Sequence, residues 1–271
     1  MKIFIITMMG LLVTLSCGQK PNSVSGEKAA ELKLKTYSFS AREGMAHVDI
    51  SVEFPVDGDP QLVEAIREHI GQRVELDIDK VKLSDGQGVV DFYGNNLMEE
   101  MKSLAADYEG DDYVTEVYHN WSFTKLCETD KFVTFLGEAA IYEGGIHGIS
   151  FHTGTTFLKQ DGTEITTEML RNTDSAAFQK LIRDGLRKYF NPEDHELTDE
   201  ELGEELIAVE DVNNIPLPHS EPYITEEGVC FVYQPYEISY YAAGMPAFTV
   251  PVEQMKPFLT EKAIKKLAQE D

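Results

Sequence analysis

The turn Glu143-Gly144-Gly145-Ile146-His147-Gly148 and its surroundings hold the side chains best placed to do chemistry. His147 and His152 stand five apart, with Glu143 and Asp161 nearby. A metal hydrolase needs such histidines and a carboxylate to converge on one ion. Across a strand turn this spacing permits it, but no HExxH pair or repeated carboxylate pattern accompanies it. Adjacent glycines allow positive φ and a close backbone approach. His147 therefore has two readings: it caps the turn by hydrogen bonding, or it meets a ligand. A nucleophilic serine would need a GxSxG elbow, and none is present. Neither GxGxxG nor a phosphate loop occurs, so nucleotide binding has no support. No catalytic residue, metal ligand or cofactor is expected, and the balance leans away from an enzyme.

The elements that must position this turn are strands. Apolar, strand-like runs at Tyr113–Lys125, Leu126–Glu128, Phe132–Tyr142 and Phe151–Lys159 read as an antiparallel meander, with a tight turn at Gln160-Asp161-Gly162 leading to Thr163–Thr166. Upstream, Val48, Ile50, Val52 and Phe54 alternate with polar residues, as a half-buried strand does, and a second strand precedes them across Arg42-Glu43-Gly44. Asp59-Pro60 supplies an N-cap and a first-turn proline. The helix that follows puts Leu62, Val63, Ile66, Ile70 and Val74 on one stripe and leaves His69 on the outer, solvated face. Residues 77–96 read as loop because of Gly86, Gly88, Gly94, Asn95 and Asn96, and a second helix is expected over Leu97–Tyr108. A third helix opens near Thr173-Asp174-Ser175. The acidic stretch 191–214, which has no Lys or Arg, reads as a short helix in a surface excursion: a solvated face or a docking patch for a basic partner. Strands at Gly228–Gln234 and Ala247–Val252 and a terminal helix over Glu253–Ala268 close the chain. Trp121, the one tryptophan, reads as core rather than a sugar platform. The expected fold class is α+β: antiparallel sheets covered by helices, in two small packed subdomains.

Lys2 followed by the apolar run Ile3–Leu15 has the form of a signal peptide and is too short to span a membrane. It ends at Leu15-Ser16-Cys17-Gly18, which resembles a bacterial lipobox with Cys17 as the lipid attachment site, although Thr14 stands where Leu is usual. Residues 1–16 are thus expected to be a leader and 17–32 a tether, followed by an N-terminal α+β subdomain (33–110) and a C-terminal α+β domain (111–271). Loss of Lys2 with the leader leaves 22 basic against 48 acidic side chains, formally −26. That charge excludes nucleic acid as a partner, since phosphates are met by Lys and Arg. It suits a cationic partner or serves solubility alone. Cys127 and Cys230 are a disulfide or two buried thiols.

Tyr142-x-Gly144-Gly145-x-His147, followed by Thr153-Gly154, Asp161-Gly162 and Met169-Leu170, resembles the ectodomain of RsiV-type anti-sigma factors and the same module in PdaC-type peptidoglycan deacetylases. The run Gly228–Ile238, then Tyr241-Ala242-Ala243-Gly244 and Phe248–Pro251, carries the second half of the resemblance, which spans residues 110–260. The resemblance implies helices packed on an antiparallel sheet and a binding role at the cell envelope, with lysozyme as the leading partner and another envelope protein or a glycan behind it. Gly148 stands where that family often has Pro-Asn. No sigma-binding segment, membrane-spanning helix or deacetylase domain is recognisable, so those activities are not carried over. The expectation is a lipid-anchored envelope protein, on the outer membrane in a Gram-negative cell, with a noncatalytic binding ectodomain. The alternative is a hydrolase or deacetylase acting on cell-wall glycan. Gly144, Gly145, His147, Tyr236 and Glu237 are the candidate ligand- or partner-binding residues.

Overall fold

The computed structural model describes residues 31–192 and 197–267. The expected leader and most of the tether, Cys17 included, lie outside the described residues. A five-stranded sheet runs in the order β1 (Lys33–Glu43), β2 (Ala46–Asp57), β3 (Val117–Glu128), β4 (Phe132–Tyr142) and β5 (Ile149–Leu158). All its pairs are antiparallel except β2 with β3, which run parallel from Ala46↔Val117 to Val52↔Phe123. The antiparallel meander expected from residue 113 onward is present as β3–β4–β5; the β2–β3 pair lies outside it, and a parallel neighbour needs a long crossover. Helices α1 (Pro60–Arg73) and α2 (Gly86–Asp107) supply it. The expected division at residue 110 falls inside that crossover, so one sheet carries strands from both sides of it.

Helix α1 starts as its sequence predicts: the Asp59 carboxylate accepts from Gln61 N and Leu62 N at 3.0 and 3.2 Å. Its apolar stripe joins the alternate residues of β2 in the first core. His69 does not lie in solvent. Its ring stacks on Phe123 at 5.7 Å and meets the edge of Phe157 at 5.6 Å. Its nitrogens lie 3.3 Å from Glu164 and from Thr155 Oγ1.

Helix α2 begins eleven residues before its expected start, with Asp85 as N-cap accepting from Gly88 N at 3.0 Å. The glycines that argued for a loop are what close packing requires. A Cβ on Gly94 would sit 2.3 Å from Phe39 Cγ, and one on Gly86 would sit 2.5 Å from the Tyr37 ring. Tertiary contact outweighs the low helix propensity of glycine here.

A smaller antiparallel sheet, β6 (Tyr223–Thr225), β7 (Gly228–Val232) and β8 (Ala247–Val250), packs with α3 (Ala176–Phe190) around a second core. Helix α4 (Asp199–Glu205) lies within the acidic stretch and carries the reciprocal cap of Thr198 and Glu201. It is more than a surface excursion, because Leu202 and the following Leu206 are fully buried in that core. The expected single terminal helix is broken into α5 (Val252–Met255), a 3-10 turn over Lys256–Phe258 and α6 (Glu261–Leu267). Pro257 cannot donate to the helical ladder, and Leu259 leaves the helix to bridge Leu170.

Two buried threonines join the sheets. Thr134 Oγ1 and Thr156 Oγ1 lie 2.8 Å apart; the first bonds Ile224 O at 2.6 Å and the second accepts from Ile224 N at 2.8 Å. Both backbone groups of Ile224 are thereby satisfied in a buried seam, which avoids the cost of an unpaired buried peptide. Cys127 and Cys230 are free thiols. Among the described residues, no helix is long and apolar enough to cross a membrane.

Candidate functional site

The turn between β4 and β5 is held open by tyrosines. Tyr108 Oη donates to Glu143 O at 3.0 Å, and Tyr142 Oη to Gly145 O at 2.9 Å. Gly144 and Gly145 adopt φ of 93° and 96°, and a Cβ on Gly144 would fall 2.3 Å from Tyr108 Oη. The turn therefore needs glycine for backbone reasons and presents Ile146 and His147 outward. Ile146 is fully exposed.

His147 meets the second half of the chain. Its Nδ1 lies 2.9 Å from Gly148 O. A carbonyl only accepts, so that nitrogen carries the proton and Nε2 is left to accept from Tyr236 Oη at 3.3 Å. The imidazole stacks on Tyr241 with centroids 3.8 Å apart and planes 16° from parallel. Tyr236 and Tyr241 lie 5.6 Å apart, and Tyr241 Oη donates to Gly148 O at 2.7 Å. Tyr189 of α3 supports the cluster by donating to Ala243 O at 2.7 Å.

Tyr236 sits at the third position of the turn Gln234-Pro235-Tyr236-Glu237, closed by Glu237 N to Gln234 O at 3.1 Å. Its φ of 69° is one that a type II turn normally assigns to glycine or asparagine. A tyrosine held there carries strain on the order of 1–3 kcal/mol, and it remains half exposed at 53%. Glu237 does the holding. Its carboxylate accepts from Gln234 N at 2.7 Å and His219 N at 2.6 Å, and its side chain is only 6% exposed. Gln234 in turn clamps the edge of β5: Nε2 donates to His152 O at 2.6 Å and Oε1 accepts from His152 N at 3.2 Å.

Of the five candidate residues, His147 and Tyr236 thus meet directly, Gly144 and Gly145 shape the turn, and Glu237 is a buried brace. Tyr241 completes the cluster and was not among the candidates. The adjacent pair Tyr240-Tyr241 before Ala242-Ala243-Gly244 was the available signal. Tyr240 Oη donates to the Glu205 carboxylate, and Ser239 Oγ to Glu205 O at 2.6 Å. The aromatic cluster is therefore continuous with the acidic helix α4.

The hypothetical metal set does not converge. His147 faces tyrosines, His152 pairs with Glu138 at 3.0 Å, and Asp161 binds Lys266 at 2.8 Å. Among the described residues, no group of three or more His, Cys, Asp or Glu side chains is placed to hold a metal ion.

The architecture is that of a mixed α+β protein built on one large and one small sheet. Residues 164–253 match the model of a family described as "Protein of unknown function (DUF3298)". That segment contains α3, α4, the small sheet and the tyrosines, but not His147. A DUF3298-family crystal structure from Bacteroides fragilis superposes with a TM-score of 0.65 at 17% identity, covering 88% of this chain and 97% of that one. Another from Pseudomonas aeruginosa gives 0.56 at 13% identity, covering 85% and 96%. At these identities the likeness concerns the fold alone. No curated protein matches the chain.

Proposed function

We propose that the chain is a noncatalytic binding ectodomain, lipid-anchored in the cell envelope through Cys17, that docks a cationic protein such as lysozyme. The observation that carries this reading is the exposed cluster of Ile146, His147, Tyr236 and Tyr241 beside an acidic helix without a basic residue. Interface cores favour large, stiff aromatic side chains, and Tyr is among the commonest energetic anchors. The carboxylates of α4 and the net charge would steer a basic partner toward them. Support also comes from the resemblance to RsiV-type ectodomains, whose quoted motifs supply both halves of the cluster.

Titration calorimetry against lysozyme at ionic strengths of about 0.05 and 0.3 M tests the reading, because screening shortens the reach of charge attraction. Binding at micromolar Kd or tighter is expected, weaker at the higher salt. Tyr241→Ala should weaken it by about tenfold or more, the size expected for a central aromatic anchor. Absence of heat at both salts overturns the proposal of a lysozyme-like partner. The anchor is checked separately by fractionation: Cys17→Ser should move the protein out of the membrane pellet, and retention there would refute lipid attachment.

A further inference from the structure

Among the described residues, the face of the large sheet opposite α1 and α2 is covered by the small sheet only at one end. The rest forms an open trough of about 560 Å³. Strand register explains its shape. One row across the five strands reads Ser40, Asp49, Asn120, Ala140, Ser150, and the next reads Ser38, Ser51, Ser122, Glu138, His152. Side chains on one face recur every second residue, so these small polar groups are the floor. The neighbouring row on one side, His47, Tyr118 and Tyr142, is bulky and forms a wall, its two tyrosine rings 5.9 Å apart. On the other side, the Tyr223 ring lies over Gly154. The channel thus crosses the strands rather than following one.

Its chemistry is selective. Among the described residues, the floor holds Asp49 and Glu138 but no Lys or Arg; Arg42, at the β1 end of the wall row, pairs with Glu116 at 3.6 Å, so the floor disfavours an anionic ligand. Asp49 pairs with His47 at 2.8 Å, and Glu138 with His152 at 3.0 Å, so the acids are oriented acceptors. Among the described residues, the Ser40, Ser51, Ser122 and Ser150 hydroxyls have no protein partner. Asn120 lies at the centre of the lining; its amide oxygen is buried without a donor among the described residues, so the rest of the side chain is what faces the trough. The inner strands β2, β3 and β4 use their main-chain groups on their neighbours, and at the β5 edge Gln234 takes those of His152, so the floor offers no backbone rungs to a peptide, which is captured at sheet edges instead.

We propose that this trough binds a linear oligosaccharide, its hydroxyls met by the Ser, Asn, Asp and Glu side chains and its ring faces by the tyrosine wall. The strand spacing of about 4.8 Å is close to the advance of one pyranose ring, so successive strands can meet successive sugars. The inference does not rest on the protein-docking reading, although Tyr142 both walls the trough and props the turn that presents His147.

The test is calorimetry of the purified full chain with chitotetraose, cellotetraose and tetralysine. Binding of at least one tetrasaccharide with Kd below about 1 mM is expected. Ser122→Tyr should fill the floor and weaken it at least tenfold, while leaving the thermal midpoint unchanged, because tyrosine suits a half-buried strand position that opens on the trough. Asn120→Ala should weaken it severalfold, as a second variant should Ser122→Tyr misfold. No binding of either sugar, binding indifferent to both substitutions, or binding of tetralysine alone would overturn the proposal.

Discussion

Phe135→Ala is expected to lower the free energy of unfolding by about 3–5 kcal/mol, the usual cost of deleting a fully buried aromatic ring. Phe135 has no exposed surface. Its ring stacks on Phe123 at 4.8 Å with planes 5° apart and meets Phe157 edge-on at 6.2 Å. Phe123 also stacks on Trp121 at 6.3 Å, and His69 covers both Phe123 and Phe157. Removing the central ring opens a cavity that rigid neighbours cannot refill. Against a typical total of about 5–15 kcal/mol, that is a large fraction. Urea unfolding monitored by Trp121 fluorescence measures it directly. A loss under about 1 kcal/mol would mean that the aromatic stack collapses easily. Strand β4 also leads into the His147 turn, so the same variant should loosen the cluster.

Gly94→Ala sets two effects of opposite sign against each other. Helix propensity alone favours alanine by about 1 kcal/mol. The added Cβ, however, would lie 2.3 Å from Phe39 Cγ. That atom is the root of the ring, so a ring flip leaves it in place, and clearing it by rotation about the Cα–Cβ bond would swing the whole ring out of its packing. Either α2 lifts from the sheet or β1 shifts, and overpacking of this kind costs about 1–3 kcal/mol. The opposing propensity gain reduces but does not cancel this, and net destabilisation with a lower thermal midpoint is expected. A raised midpoint would show that the helix docks loosely.

The same glycines explain what could be read in advance. The stripe and cap of α1 were legible because Asp59, Pro60 and the apolar spacing act within one helix. The N-terminal half of α2 was not, because Gly86 and Gly94 are chosen by Tyr37 and Phe39, which lie far away in sequence. His69 looked solvated on its own helix, yet Phe123, Phe157 and Glu164 enclose it from other elements. Glu237 looked like a ligand group, but its partners are main-chain amides that only the folded turn brings near.

Local chemistry in the sequence was enough to determine the mixed α+β class, the strands flanking the glycine turn, the capped start of α1 and the acidic balance. These depend on alternation, caps and charge, which act over a few residues or sum over all of them. It also singled out His147, while Tyr236 entered with the family resemblance. The tertiary structure alone decided that they share a cluster with Tyr241, that β2 and β3 run in parallel, and that polar rows align into a trough. Those features depend on register and packing between segments as much as about ninety residues apart, and no local preference encodes such a pairing.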